Sequence, residues 1–331
     1  MKIFVSGSTG SIGAHLVKML SDRGHTTHVL VRSLEKAKKL TFANVIPFKG
    51  DITDKKSVDK AMKGCRQAYH VAAFASVWAK DTGKFYKINV GGTVNVLQSA
   101  VDHNVKKVVV TSTAGVLGPS LHGVITEEKI RDIDIFNEYE GSKVMAESMI
   151  KDFVNIHDLD VVIVSPTRVY GPFIFGTPSS TTLLVDKYVN HSWRFYPGTG
   201  KELGNYAYIE DVALGHILAM EKGRKGHTYL LGGENFDYVT FYNKLGNVTG
   251  IKRKMFKVPI WVQMTFAGYQ LFMAEWFGET PMITPKWIAK GRYNWELSPE
   301  KAIRELGLTI TPIDEGLRKT VEYVRSLRKK G

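Results

Sequence analysis

The feature that most constrains the fold is a run of small residues near the start of the chain, Gly7-Ser8-Thr9-Gly10-Ser11-Ile12-Gly13. Residues 2–6 before it have the pattern of a buried strand, and residues 14–20 after it carry apolar side chains with helical spacing. Glycines permit a tight turn there and let the backbone approach a pyrophosphate, whose charge is favourable at a helix N-terminus. The run predicts a strand, turn and helix in which these seven residues bind a dinucleotide. A purely structural turn is the alternative.

The end of the second predicted strand, residues 26–31, indicates which dinucleotide binds. In dinucleotide folds an acidic residue about 20 residues after the glycines binds the ribose 2′-hydroxyl, whereas an arginine accommodates a 2′-phosphate. The acid is missing here, Arg32 stands in its place, and Lys36 follows closely. We therefore expect NADP(H) rather than NAD(H). The alternative is an exposed arginine at a strand end.

Further strands are predicted at residues 45–49, 67–71, 106–112 and 160–165. Parallel sheets bind ligands beyond the carboxyl ends of their strands, so the residues that end these strands are candidates for contact with the dinucleotide. They are Asp51, Ile52, Ala72, Ala73 and Thr111. Asp51 has an alternative role as a turn or helix cap.

A phenol and an ammonium lie one helical turn apart in the sequence Tyr139-Glu140-Gly141-Ser142-Lys143. Asn137 and Glu140 predict an N-cap with a capping box, and the apolar spacing after them predicts a helix. Tyr139 and Lys143 would then be neighbours on one face. A nearby cation lowers the pKa of a tyrosine, so this pair is suited to proton transfer. A chance pair on the surface is the alternative.

Composition excludes several classes of protein. The chain has 331 residues and a formal charge of +13, which favours anionic ligands, but no aromatic and basic module for nucleic acid accompanies that charge. Cys65 is the single cysteine, and the ten histidines show no metal-ligand spacing, so we expect neither a disulfide nor a metal site. No signal-peptide pattern precedes the first strand, and we expect a cytoplasmic protein.

The alternation of strands and helices predicts an α/β fold, a Rossmann-type doubly wound parallel sheet with a smaller, mostly helical C-terminal substrate-binding lobe. We expect a nucleotide-binding domain of residues 1–172, joined by about 205–232, which would rejoin the sheet. Residues 173–204 and 233–331 would form the substrate-binding lobe.

The segment 258–277 is strongly apolar and aromatic. It is long enough to span a membrane, but Gln263, Gln270 and Glu275 interrupt it, so we do not expect a span. A substrate lid, a pocket wall or plain core is the first interpretation. Peripheral membrane contact is the other, because Lys252, Arg253 and Lys254 precede the segment.

With the glycine turn, Thr113 and the Tyr139/Lys143 pair in this order, the whole chain resembles the extended short-chain dehydrogenase/reductases of the NAD-dependent epimerase/dehydratase superfamily. Residues 89–93, which begin with Asn89, resemble the helix motif of that family. Residues 166–171 resemble its nicotinamide-side loop, and from that loop we expect Pro166, Thr167 and Val169 to contact the cofactor.

The resemblance implies a mechanism. Thr113 would hydrogen-bond a substrate carbonyl, Tyr139 would donate or accept its proton, and Lys143 would lower the phenol pKa and hold the nicotinamide ribose. The resemblance also implies a homodimer through helices 84–104 and 139–157. The small-molecule substrate would be a carbonyl compound or the corresponding alcohol.

Departures from the family pattern narrow the activity. Dehydratases carry an Asp-Glu pair after the catalytic hydroxyl, where this chain has Ala114 and Gly115. Sugar-nucleotide enzymes place a diphosphate-binding arginine where this chain has Gly204; Arg194, Lys201 or Arg292 could compensate. The chain looks closest to dihydroflavonol reductase-like and 3β-hydroxysteroid dehydrogenase-like members, which act on fairly apolar substrates. A sugar-nucleotide epimerase, a sterol dehydrogenase at a membrane surface and a dinucleotide-sensing interaction protein remain alternatives.

Overall fold

The computed structural model describes residues 1–328, so the last three residues of the predicted lobe lie outside it. The strands are β1 Lys2–Ser6, β2 Thr26–Val31, β3 Val45–Lys49, β4 Gln67–His70, β5 Lys107–Thr111, β6 Asp160–Pro166, β7 Arg168–Tyr170, β8 Phe195–Tyr196, β9 Leu203–Tyr208, β10 Thr228–Leu231, β11 Glu234–Asp237 and β12 Phe256–Lys257. Seven of them form one parallel sheet in the order β10-β6-β5-β4-β1-β2-β3. This order confirms the doubly wound α/β fold.

The α-helices are α1 Ser11–Asp22, α2 Leu34–Ala37, α3 Lys55–Met62, α4 Gly83–Tyr86, α5 Gly92–Asp102, α6 Glu138–His157, α7 Ser180–Val189, α8 Ile209–Lys222, α9 Tyr238–Thr249, α10 Ile260–Phe277, α11 Pro285–Gly291, α12 Glu300–Leu306 and α13 Ile313–Arg328. Helices α9 to α13 follow the sheet in sequence. The predicted helical character of the C-terminal part is therefore confirmed.

Two apolar layers cover the faces of the sheet, because side chains alternate along each buried strand. Ile3 and Val5 of β1 join Leu16 of α1 and Ile217 of α8 on one face. Phe4 points the other way, into a layer with Leu97 of α5 and Ile150 of α6. The continuous apolar strands in the sequence are thus buried on both faces.

Residues 203–208 do not rejoin the main sheet, so the expectation for this part of 205–232 was wrong. Strand β9 pairs with β7 and β11 in a separate three-stranded sheet. β10 does rejoin the main sheet, beside β6, and α8 packs against it. The small sheet lies against a second aromatic core that contains Tyr170, Tyr206 and Phe241.

The predicted helix 84–104 is interrupted rather than continuous. A π-helical turn at Lys87–Gly91 lies between α4 and α5. Single π turns often mark functional positions, and this one contains Asn89.

Helix α10 covers most of the apolar segment 258–277, and only Ala267 and Ala274 of this helix are buried. Within residues 1–328 no helix combines the length and the apolar character that crossing a bilayer requires.

Candidate active site

Thr113, Tyr139 and Lys143 converge at the carboxyl end of β5. Thr113 lies two residues after that strand and caps a short 3₁₀ turn, where its hydroxyl accepts a hydrogen bond from the Gly115 N–H at 3.2 Å. Tyr139 lies in the first turn of α6 beside the Thr113 hydroxyl. Lys143 lies one turn further along, and its ammonium donates to the Thr111 carbonyl at 2.7 Å. The sequence-predicted pair and the hydroxyl are therefore brought to one place.

Burial, rather than the lysine charge, dominates the ionisation of this pair. Loss of water raises the pKa of Tyr139 to about 12, although hydrogen bonding with Thr113 acts in the opposite direction. Loss of water likewise lowers the pKa of Lys143 to about 8. The expectation that Lys143 lowers the phenol pKa below its ordinary value is therefore not met in the protein alone. At pH 7 the phenol is protonated and the lysine carries its charge.

Sequence reasoning missed two residues, one that acts on Lys143 and one that bonds the side chain of Thr111. Glu147 lies one further turn along α6, where its charge raises the pKa of Lys143 against the effect of burial. Burial raises the pKa of Glu147 itself. Beyond the sheet, His216 shares a 2.8 Å hydrogen bond with the Thr111 hydroxyl. The helical i, i+4 spacing of Lys143 and Glu147 could have identified Glu147 from the sequence. His216 lies 105 residues from Thr111, so no local pattern connects these two residues.

The glycine turn forms a backbone cradle. Gly7 has φ of +78°, and a Cβ there would lie 2.5 Å from the Ala72 nitrogen. A Cβ on Gly13 would lie 2.1 Å from the Gly7 carbonyl oxygen. The turn also holds a polar group without a partner, since the buried Ser8 hydroxyl meets no hydrogen-bond acceptor or donor in the described chain. These features fit a turn that accepts a pyrophosphate at the N-terminus of α1.

Arg32 lies at the end of β2 and is exposed. Within residues 1–328 its guanidinium has no carboxylate within ion-pair distance. The carboxylate of the nearby Glu35 pairs with Lys38 instead. Ser33 caps α2, whose first turn contains the exposed Lys36. An unpaired arginine and a lysine beside the adenosine end of such a cleft are suited to a 2′-phosphate.

The side chains of Asp51 and Asn89 form hydrogen bonds with other groups of the protein. The Asp51 carboxylate accepts hydrogen bonds from the N–H and the hydroxyl of Thr53. This is the turn-capping role that the sequence offered as the alternative to cofactor binding. The Asn89 amide binds both backbone groups of Phe74 and donates to the Ser142 hydroxyl at 2.8 Å. Asn89 therefore ties the segment after β4 to the helix of Tyr139. Contact of either side chain with a dinucleotide stays a prediction.

The remaining predicted cofactor residues lie along the same edge. Ile52 is buried against Gly92, and Ala73 is exposed beyond β4. Pro166 ends β6, and the Thr167 hydroxyl donates to Asn205 at 2.8 Å. Val169 is half-buried in β7. Ile52, Ala73, Pro166 and Thr167 thus lie at or just beyond strand ends of the main sheet, whereas Val169 lies within the small sheet. Their contact with a dinucleotide stays a prediction.

A buried charge cluster next to Tyr139 was not predicted. Glu140 is fully buried, and its carboxylate pairs with Arg131 at 3.0 Å and with Lys290 of α11 at 2.6 Å. Only half of the expected capping box forms: Asn137 accepts from the Glu140 N–H, but the Glu140 carboxylate accepts from the Phe136 N–H instead. The cluster thus joins α6 to the C-terminal lobe.

Comparison with known proteins decides the family. The model of the NAD dependent epimerase/dehydratase family matches residues 3–232. The chain belongs to this family. A putative dihydroflavonol 4-reductase of Synechocystis sp. is 29% identical over 98% of this chain and 94% of its own length. Sterol demethylase protein B of Methylococcus capsulatus is 30% identical over 78% of each chain.

A solved structure supports the fold. The crystal structure of the UDP-glucose 4-epimerase of Thermotoga maritima superposes with a TM-score of 0.81 at 22% identity, over 99% of this chain and 100% of its own. Family and relatives together make this chain an NAD(P)-dependent oxidoreductase of the extended short-chain dehydrogenase/reductase type. The alternative of a non-catalytic dinucleotide sensor is thereby set aside.

Proposed function

We propose that this enzyme uses NADPH to reduce a ketone or aldehyde on a fairly apolar substrate. The observation that carries the proposal is the convergence of the Thr113 hydroxyl, the protonated Tyr139 phenol and the Lys143 ammonium at one strand end. The nicotinamide supplies the hydride when bound. Thr113 and Tyr139 both offer O–H groups to the carbonyl oxygen, and Tyr139 donates its proton as the alcohol forms.

The ionisation of the site supports the direction of reduction. A phenol with a pKa of about 12 is in its acid form at neutral pH, which is the form that donates to an alkoxide. Lys143, with a pKa of about 8, keeps a positive charge there and stabilises the phenolate that remains after the transfer. A dehydratase needs an acid to remove water after the hydride step. The segment 114–117, which follows Thr113, contains no carboxylic acid for this purpose.

The preference for NADPH is supported by the unpaired, exposed Arg32 and by Lys36. A carboxylate at position 32 would repel a 2′-phosphate, whereas a guanidinium can bind it with two parallel hydrogen bonds. The rival sugar-nucleotide epimerase would hold NAD tightly through turnover. Arg32, which favours NADPH, therefore argues against the epimerase, and position 204 itself provides no diphosphate-binding side chain.

The test is NADPH oxidation with apolar ketones and aldehydes, followed for the wild type and for Tyr139→Phe. We expect turnover in the wild type and loss of at least two orders of magnitude in the variant, because the phenol O–H is the proton donor. NADPH affinity should stay within about threefold. Unchanged turnover in Tyr139→Phe would contradict the assignment of the proton donor.

We also propose that the enzyme works at a membrane surface, because α10 exposes an unusual number of aromatic side chains. Trp261 is 70% exposed and Trp276 is 73% exposed, with Tyr269 and Phe272 between them on the same side of the helix. A helix that is apolar all round is normally covered on all sides. The exposed Lys252, Lys254 and Lys257 precede it and favour an anionic surface.

Sedimentation with vesicles tests this contact. The wild type should pellet with phosphatidylcholine vesicles that contain 30% phosphatidylserine in low salt, and Trp261→Ser with Trp276→Ser should not. The exposed loop residue Ile130 provides the control Ile130→Ser. Absence of binding by the wild type in low salt would remove the membrane role.

A homodimer through α6 is the remaining proposal about assembly. Met145, Met149 and Ile156 project from one side of this helix and are exposed in the single chain. Light scattering after gel filtration should give twice the chain mass for the wild type and the chain mass for Met149→Lys. A wild-type monomer would contradict the proposal. We further propose a cytoplasmic location, consistent with the free buried thiol of Cys65.

A further inference from the structure

Arg168 is a cation that the structure holds in place without pairing it with an acidic side chain. It begins β7, and its guanidinium lies over two aromatic rings, 5.7 Å from the centroid of Tyr206 and 5.1 Å from that of Tyr238. Within residues 1–328 no carboxylate comes within 4.0 Å of it, and its one hydrogen bond is a long 3.5 Å contact to the Tyr206 hydroxyl. Most of the five N–H donors of this arginine therefore remain available.

Gly204 makes room for this guanidinium. Strand β9 carries Gly204 and Tyr206 on the face that Arg168 covers, and a Cβ on Gly204 would lie 2.3 Å from Arg168 Nη1. Any side chain at position 204 would therefore displace the arginine. The residues considered from sequence as substitutes, Arg194, Lys201 and Arg292, are all exposed. Arg168 is the cation that occupies the space above Gly204.

Arg168 is linked to the start of α6 through one intervening residue, Lys290. Its charge helps to lower the pKa of Lys290, the ammonium that pairs with Glu140. Glu140 directly follows Tyr139 in the sequence. A Cβ on Gly115, two residues after Thr113, would be 3.3 Å from the same ammonium. Lys290 therefore lies between the Arg168 guanidinium and the segment that carries Thr113 and Tyr139.

The charged groups around Arg168 differ in how they are paired. The cations of the group are Arg131, Arg168 and Lys290, and Arg131 and Lys290 share the single carboxylate of Glu140. Glu202 is close enough to raise the pKa of Arg168, but its oxygens accept from the backbone N–H groups of Thr199 and Gly200. Arg131 and Lys290 thus have a carboxylate in direct contact, whereas Arg168 has none within ion-pair distance in residues 1–328. A half-buried guanidinium of this kind favours an incoming oxyanion.

We propose that Arg168 binds an oxyanion of the substrate, a carboxylate or a phosphate ester, while Thr113 and Tyr139 bind its carbonyl group. This inference rests on the proposed reductase function. It assigns to the substrate an acidic group in addition to a fairly apolar body. The planar guanidinium would bind the two oxygens side by side, and the tyrosine rings fix its plane.

An equilibrium experiment tests the proposal without turnover. The protein, saturated with NADP⁺, is titrated calorimetrically with benzoate, phenyl phosphate and the neutral benzamide. We expect at least one anion to bind about tenfold or more tightly than benzamide, and Arg168→Gln to remove this preference. Arg292→Gln, which removes an exposed arginine, should retain it. The stronger of the two anions identifies the carboxylate or the phosphate as the ligand.

A kinetic experiment distinguishes binding from a structural role. NADPH oxidation is followed with 4-formylbenzoate, 4-formylphenyl phosphate and the methyl ester of 4-formylbenzoate. Arg168→Gln should raise KM for the preferred anion about tenfold or more, with kcat and the kinetics of the ester nearly unchanged. Arg168→Lys keeps the charge but not the paired donors, and it should give an intermediate KM.

Each contrary result is decisive. Anions that bind the wild type no more tightly than benzamide would overturn the proposal, as would equal losses for acid and ester in the variants. Wild-type protein that prefers an anion but reduces none of the aldehydes would count against the reductase function and leave the oxyanion site supported. If Arg168→Gln does not fold, Arg168→Lys replaces it with a smaller expected effect: a raised KM for the preferred anion and unchanged kinetics for the ester.

Discussion

Replacement of Glu140 by glutamine should destabilise the protein far more than an ordinary loss of a surface ion pair. Glu140 is fully buried, and the side chains of its partners Arg131 and Lys290 are only 12% and 18% exposed. Arg131 keeps hydrogen bonds to the carbonyls of Gly115, Ile133 and Asp134. Within residues 1–328, the Lys290 ammonium would retain only its contacts with the ring faces of Trp287 and Trp295. The cost therefore falls mainly on Lys290.

The magnitude follows from leaving a charge buried without its partner, which costs about 3–5 kcal/mol. With an unfolding entropy of about 2.1 cal/mol/K per residue, this corresponds to a fall in Tm of about 4–7 °C for a chain of this size. Burial already lowers the pKa of Lys290, and Glu140 opposes that effect. In the variant Lys290 should lose its proton more readily, so the destabilisation should shrink as pH rises.

Glu138→Gln is a matched control. Glu138 lies in the same first helical turn and also pairs with a lysine of α11, Lys286, but both of these side chains are more exposed. Exposed pairs contribute about 0–1 kcal/mol. Urea unfolding of the two variants at pH 6 and pH 9 measures the difference. Equal, small losses at both positions would refute the reasoning that the Glu140 cluster is a buried pair.

Three further perturbations have definite outcomes. Gly13→Ala places a methyl 2.1 Å from the Gly7 carbonyl oxygen, so it should lower the free energy of unfolding by about 1–3 kcal/mol and abolish dinucleotide binding. The control Gly268→Ala, in the open part of α10, should leave the protein equally stable or stabilise it. Calorimetry of both variants checks these outcomes. Arg32→Asp should raise the Kd for NADPH at least about tenfold more than that for NADH, and equal losses in a fluorescence titration would show that Arg32 does not bind a 2′-phosphate. The buried His70 and His216 have pKa values lowered to about 3 and about 4 by burial, so the folded state binds fewer protons than the unfolded state below pH 6.5. The free energy of unfolding should therefore fall by about 1 kcal/mol per histidine per pH unit as pH drops from 6.5 towards 5, and His216→Gln should remove about one histidine's share of that slope; a flat urea-unfolding profile over this range would contradict it.

Local patterns were sufficient to predict the main sheet. The strands before Gly7 and Arg32 and the helix of Tyr139 have strong apolar periodicity, so their positions agree with the structure within a residue or two. Strand β9 was assigned to the wrong sheet, because its pattern is that of any buried strand. Its partners β7 and β11 are fixed by tertiary packing.

The site was predictable only where its residues are close in sequence. The spacing of Tyr139 and Lys143 is a helical turn, and Thr113 follows a strand end, so their meeting follows from the fold. The pairing of Glu140 with Lys290, 150 residues away, depends on the C-terminal lobe packing against the start of α6. The position of Arg168 above Gly204 depends on the pairing of β7 with β9 in the small sheet. The pKa of Tyr139 was misjudged because the sequence shows the neighbouring charge but not the extent of burial.

The cofactor is the most direct test of the proposed reductase. Purified protein is first examined for nucleotide retained through purification and is then titrated with NADPH, NADH and NAD⁺ by calorimetry. We predict no retained nucleotide and an exchangeable NADPH that binds more tightly than NADH. Tightly retained NAD would favour the sugar-nucleotide epimerase instead, and the absence of binding by all three nucleotides would contradict both functions.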